Sequence, residues 1–249
     1  MKTLIVVMAL AAALFIGPAR AIEPDICEVP GYLLFGESEL KRVATAVKQH
    51  RRLEIAVIGT ASSILGTGVT AYPARLEVAL RARLPGVTVN VISQAKPRQT
   101  TAEMVQNVKK LVTDLKPDLV IWQTGTIDAM RGVDLEKFRA ALDQGIEQIR
   151  AAGADVILMN MQYSPRTESM IAVDPYIDSM RAAAREHEVP LFDRFAIMRN
   201  WSDNGAFDLY TATANPTMAE KVHDCIGRAL ASVVIDAARL SPLEAKTAQ

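Results

Sequence analysis

Five short apolar runs alternate with amphipathic stretches along this chain, and that alternation leaves few folds open. The runs cover residues 53–58, 87–92, 118–122, 155–159 and 189–192. Around them, residues 37–50, 74–84, 101–115, 135–152, 175–186 and 218–237 carry apolar side chains at helical spacing. Gly59, Pro85-Gly86, Lys116-Pro117 and Gly153 punctuate the elements. The runs are continuous rather than alternating in and out, so each strand is covered on both faces. The pattern predicts a parallel five-stranded sheet joined by right-handed crossovers with helices on both sides, a three-layer α/β/α sandwich. Ligands in such a sheet sit beyond the carboxyl ends of the strands, near the point where strand order reverses. That directs attention to residues 59–72, 93–100, 123–134 and 160–174.

The N-terminus reads as a leader. Lys2 precedes an unbroken apolar run over residues 4–16, and Ala19-Arg20-Ala21 is a small-x-small site. The run is too short to span a bilayer as a mature helix, so residues 1–21 are expected to be a signal peptide cleaved before Ile22. Residues 22–249 then form a single domain, long enough to bury a sizeable core. No later run approaches membrane-spanning length, so no integral membrane segment is expected after cleavage, and the location is periplasmic or secreted. Lys plus Arg and Asp plus Glu both number 28 in the whole chain. That balance gives no footprint for nucleic acid. The cysteines are two, Cys27 and Cys225. In an oxidising compartment an even count reads as a disulfide from the N-terminal arm to the last helix, with two buried thiols as the alternative. Two cysteines without neighbouring histidines do not make a metal site.

The first of the selected loops runs Gly59-Thr60-Ala61-Ser62-Ser63-Ile64-Leu65-Gly66. It lacks both the Lys of a P-loop and the spacing of a dinucleotide fingerprint. Ser62 or Ser63, at a strand end, offers a nucleophile or simple turn chemistry. A nucleophilic Ser needs a base. Of the three histidines, His50 and His187 sit at polar helix ends, which leaves His223 on the last helix. Glu220 precedes it by one helical turn and is placed to orient it.

Extended stretches carry a resemblance to a known family. These are Ile55-Ala56-Val57-Ile58-Gly59-Thr60-Ala61-Ser62, Ala71-Tyr72-Pro73-Ala74-Arg75-Leu76 and residues 117–125 and 153–159, with the closing run that starts at His223-Asp224-Cys225. Together they resemble the SGNH/GDSL hydrolase superfamily. The resemblance implies a flavodoxin-like SGNH fold and hydrolysis or transfer of an acyl ester, with no cofactor and no metal. It implies a small-molecule or glycan substrate, a nucleophile after the first strand and oxyanion donors from the second and third loops.

At the catalytic positions the chain departs from that pattern. Reading the family's Gly-Asp-Ser from Gly59 puts Ala61 at the nucleophile, whereas the register that keeps Gly66 in step puts Ser62 there. The second loop has no Gly, and Arg98 stands about where the oxyanion Gly belongs. Ile127 replaces the oxyanion Asn, and Ala214-Asn215 occupies the region of the family's Asp-x-x-His. Losing one oxyanion donor typically costs about 10²–10³ in rate. Two readings follow. The leading one is an ester hydrolase with Ser62 as nucleophile, His223 as base and Glu220 orienting it. The other is a non-catalytic binding protein, or an accessory protein of envelope polysaccharide, holding its ligand through Arg98, Asp128 and Thr126. Hydrogen-bond contact between Ser62 and His223 is the feature that separates them.

Overall fold

The computed structural model describes residues 25–64, 69–210 and 216–240. The expected signal peptide, Gly66 and the Ala214-Asn215 pair lie outside them. The elements in chain order are α1 (Lys41–His50), β1 (Arg52–Gly59), α2 (Tyr72–Arg83), β2 (Thr88–Ala95), α3 (Thr101–Leu115), β3 (Leu119–Gln123) and α4 (Thr126–Arg131). Then come α5 (Leu135–Ala151), β4 (Asp155–Met159), α6 (Pro165–Met170), α7 (Asp174–Glu186), β5 (Leu191–Phe192), α8 (Arg194–Asp203) and α9 (Pro216–Ala237).

The five strands form one parallel sheet in the order β2-β1-β3-β4-β5. Strand order reverses between β1 and β3, so the switch point lies where Gly59 and Gln123 end those strands. All five residues of β3 are buried, as continuous apolar patterning requires of a central strand. Helices α2 and α9 pack against each other, while α3, α5 and α7 pack in a row. Local chemistry sets the ends. Thr100 and Glu103 form a reciprocal capping box at the start of α3, and Lys116 closes it in a left-handed conformation ahead of Pro117. At the opposite end of the sheet from the switch point, Asp118 accepts from Arg42 Nε (3.1 Å) and the Glu54 amide (3.0 Å), and Asp155 accepts from the Val43 amide (3.0 Å). These carboxylates fasten α1 to the sheet.

Close approach is built into one core position. A Cβ added at Gly145 of α5 would lie 2.1 Å from Cη2 of the fully buried Trp122. Gly145→Ala is therefore expected to destabilise the fold by about 3 kcal/mol through overpacking. A lowered denaturant midpoint with an unchanged m-value is the readout, and an unmoved midpoint would show that the indole has room to shift.

The N-terminal arm is held on the outside of this core. Cys27 and Cys225 form a disulfide with their Cα atoms 4.9 Å apart, within the range such bonds require. Trp201 Nε1 donates to the Glu28 carbonyl (2.9 Å), Arg228 pairs with Asp25, and the Leu40 amide donates to the Ala237 carbonyl (2.9 Å). No described helix is long and apolar enough to cross a membrane.

Candidate functional site

At the switch point, β1 ends in Gly59 and the chain turns through a short 3-10 segment, Ala61–Ser63. The glycine is needed for space, since a Cβ there would sit 2.3 Å from Ser63 Oγ and 3.0 Å from Gln123 Oε1. Gln123 is fully buried at the end of β3, and its Oε1 gathers the loop. It accepts from the Thr60 amide (3.0 Å) and lies within reach of the hydroxyls of Thr60 (3.1 Å), Ser63 (3.2 Å) and Ser62 (3.3 Å). A carbonyl oxygen has two lone pairs, so these hydroxyls share it. Ser63 has an alternative partner in the Tyr72 hydroxyl (2.9 Å). The amide donor Thr60 N–H orients the side chain, and that leaves the buried Gln123 Nε2 without an acceptor.

Opposite this loop stands a residue outside the segments selected from the sequence. Arg194 opens α8 directly after β5 and is 1% exposed. Asp193 caps the helix by accepting from the Ala196 amide (3.0 Å). Asp193 is itself held by Arg181 Nη2 (2.7 Å) and Asn160 Nδ2 (2.7 Å), while Asn160 Oδ1 accepts from the Phe195 amide (2.9 Å). The start of α8 is thus pinned to β4 and α7, and the Arg194 side chain runs inward. Its Nη1 donates to Ser62 Oγ (3.2 Å) and its Nη2 to Gln162 Oε1 (3.3 Å), and the guanidinium lies 5.7 Å from the centre of the Tyr72 ring. Its Nε has no partner, and no carboxylate among the described residues pairs with it. Burial of this charge pushes the guanidinium down to about 10, with Tyr72 opposing.

His223 is buried on α9, and its Nδ1 accepts the Tyr72 backbone N–H at 2.9 Å. Burial, reinforced by the nearby Arg194 charge, pushes the imidazole down to about 3. The ring is therefore neutral, with its proton on Nε2. No hydrogen bond joins it to Ser62, whose partners are Arg194 and Gln123. Glu220 is exposed and makes no hydrogen bond to His223, whose orientation comes instead from the α2 backbone.

The expected binding residues are not brought together. Arg98 is exposed at the tip of its loop with φ 63°, and its carbonyl accepts from Arg131 Nη2 (3.0 Å). Asp128 is buried and turned toward α3, where it accepts from the Thr101 amide (3.1 Å) and hydroxyl (2.9 Å). Burial raises its carboxyl, and the Thr101 hydrogen bonds oppose that rise. It serves as an internal brace between α3 and α4 rather than a partner for Arg98. Thr126 begins α4, half-buried. The residue that converges on Ser62 is Arg194. The Asp193 cap directly behind the last strand marks where α8 begins but not the inward turn of this arginine. A groove of about 810 Å³ beside the arm and β5 mixes both signs of charge, and part of that charge is already paired, as Arg181 is with Asp193.

The fold agrees with that of solved SGNH hydrolases. A catalytic mutant of Axe2, an acetylxylan esterase from Geobacillus stearothermophilus, superposes with a TM-score of 0.59 at 18% identity, covering 73% of this chain and 94% of that one. LAE5, an alpha/beta hydrolase from the metagenome of Lake Arreo, Spain, gives 0.57 at 22% identity over 75% and 95%. AlinE4, an SGNH-hydrolase family esterase, gives 0.52 at 22% identity over 73% and 87%. Comparison with the curated proteins gives no match. The profile of the Non-GDSL lipase-like family matches residues 26–240, nearly the whole of the described chain. With its SGNH-type sheet and its departures from the GDSL pattern, the chain belongs to the Non-GDSL lipase-like family.

Proposed function

We propose that this protein uses the SGNH hydrolase scaffold to bind a ligand rather than to hydrolyse one, with Ser62 as a hydrogen-bonding group at the site. One observation carries the reading: the only histidine near the loop spends its basic nitrogen on a backbone amide inside the fold. An imidazole held neutral down to about pH 3 by burial does not take a proton from Ser62 at physiological pH. A serine hydroxyl without a base is a poor nucleophile. The expected leader and the disulfide support a role outside the cytoplasm, and the ligand in this reading is a small molecule or glycan.

A hydrolase reading draws on a different observation. Ser62 is partly exposed in the turn after β1, with its Oγ between a cationic group and an amide. The two readings part in one experiment. Purified mature protein is treated with a fluorophosphonate probe and assayed on acylated sugars and aryl esters. The expected result is no labelling, and no hydrolysis above a Ser62→Ala control. Labelling or turnover that vanishes in Ser62→Ala would establish a serine ester hydrolase and overturn the binding reading.

A further inference from the structure

Arg194 is the most buried arginine of the described chain, and no described carboxylate pairs with it. Arg42, Arg139 and Arg181 are all more exposed, and each pairs with a carboxylate. Arg194 has two contacts of 3.2 and 3.3 Å, both to neutral oxygens, and an unpartnered Nε. Burying a guanidinium without a counter-anion is unfavourable, and two hydrogen bonds to neutral oxygens and the Tyr72 ring offset that only in part. The neighbouring polar groups share one deficiency. Gln123 Nε2 is buried without an acceptor. His223 carries its remaining proton on Nε2, because Nδ1 already accepts from Tyr72, and none of the described residues accepts that proton. Gln123 and Arg194 meet at Ser62, the charge of Arg194 is felt at His223, and the cluster reaches the surface at the partly exposed Ser62.

We infer that Arg194, together with Ser62 and the unspent N–H groups of Gln123 and His223, forms a receptor for an oxyanion: a carboxylate, phosphate or sulfate group on the bound ligand. The inference rests on the binding reading above and names the chemical class of its ligand. A guanidinium fork matches the paired oxygens of these groups, and a preset, desolvated cation favours them over chloride.

The test uses mature protein at constant ionic strength, titrated with sodium acetate, phosphate and sulfate across the millimolar range, with chloride as control. Thermal melts and calorimetric titration are read together. At least one oxyanion is expected to raise the melting temperature progressively with concentration, as binding to the native state requires, while chloride does not. Arg194→Met is expected to abolish that rise. Arg194→Lys keeps the charge without the fork; it is expected to weaken binding about 10- to 100-fold, as loss of a charge-assisted hydrogen bond does, and it serves if the Met variant fails to fold. Oxyanions that act no differently from chloride on the wild-type protein would overturn the inference, as would undiminished binding in both variants. Ser62 labelling by the fluorophosphonate probe would instead overturn the binding reading, so the two failures are distinguishable.

Discussion

Loss of the Cys27–Cys225 bond is expected to cost the folded protein up to about 5 kcal/mol. The two cysteines are 198 positions apart, so the bond closes a loop that spans nearly the whole domain. In the chain-entropy account, that restricts the unfolded ensemble strongly. The other polar contacts of the arm are mostly single ones, an indole hydrogen bond from Trp201, contacts of Arg228 with Asp25 and Cys27, and a backbone hydrogen bond from Leu40 to Ala237, while Val29, Leu33 and Leu34 pack partly buried against the core. An exposed ion pair contributes little. For a domain of this size the loss corresponds to a fall of about 10–20 °C in melting temperature. Denaturant melts of the Cys27→Ala/Cys225→Ala variant, and of wild-type protein with and without reductant, measure it. Coincident transitions under oxidising and reducing conditions would show that the bond contributes nothing.

A second large effect is expected at acid pH. His223 stays neutral in the native state until about pH 3, because its ring is desolvated and faces the Arg194 charge. In the unfolded chain it takes up a proton near pH 6.5. Below that pH the unfolded state binds a proton the native state refuses, so stability falls as pH falls. The loss from this group builds from about pH 6.5 down to about pH 3 and amounts to roughly 5 kcal/mol at its fullest. The buried carboxyls of Asp128 and Asp155 are raised, again by burial first, and act in the opposite sense. The His223 contribution is isolated by comparison with His223→Asn, whose amide oxygen can accept from Tyr72 and does not titrate. Urea melts at stepped pH should give a shallower acid limb for the variant. Parallel limbs would mean that His223 protonates in the native state without penalty.

The architecture was legible because its cause is local. Strands buried on both faces must be continuous apolar runs, and β1, β3 and β4 fall within a residue or two of where those runs lie. Helix α3 matches at both ends, since Thr100 and Lys116-Pro117 are chemical stops. The strand expected over residues 189–192 contracts to Leu191–Phe192, behind a proline that has no N–H to give to a ladder. Helices α4 and α6 are six residues each, too short to show a period. The site was far less legible, and for non-local reasons. An arginine in a sequence reads as a solvated charge, and nothing near Arg194 in the chain says that α8 turns it inward. Elimination picked out His223 as the candidate base, whereas the structure commits its Nδ1 to a main-chain amide 151 positions earlier. Asp128 looked available for Arg98 until Thr101 was seen to hold it.

That amide has a bearing on how the protein is made. Tyr72 opens α2, an element synthesised early, yet the acceptor for its N–H arrives with the final helix. Until α9 docks against α2, the amide lacks its acceptor and Arg194 has no neighbouring imidazole. The Cys225 thiol that Cys27 awaits lies two residues beyond His223, so closure of the covalent loop and completion of the site belong to the same late event. A chain whose last helix has not yet docked is thus both unlocked and without the Tyr72–His223 contact, and the groups around Ser62 reach their final arrangement only with that docking.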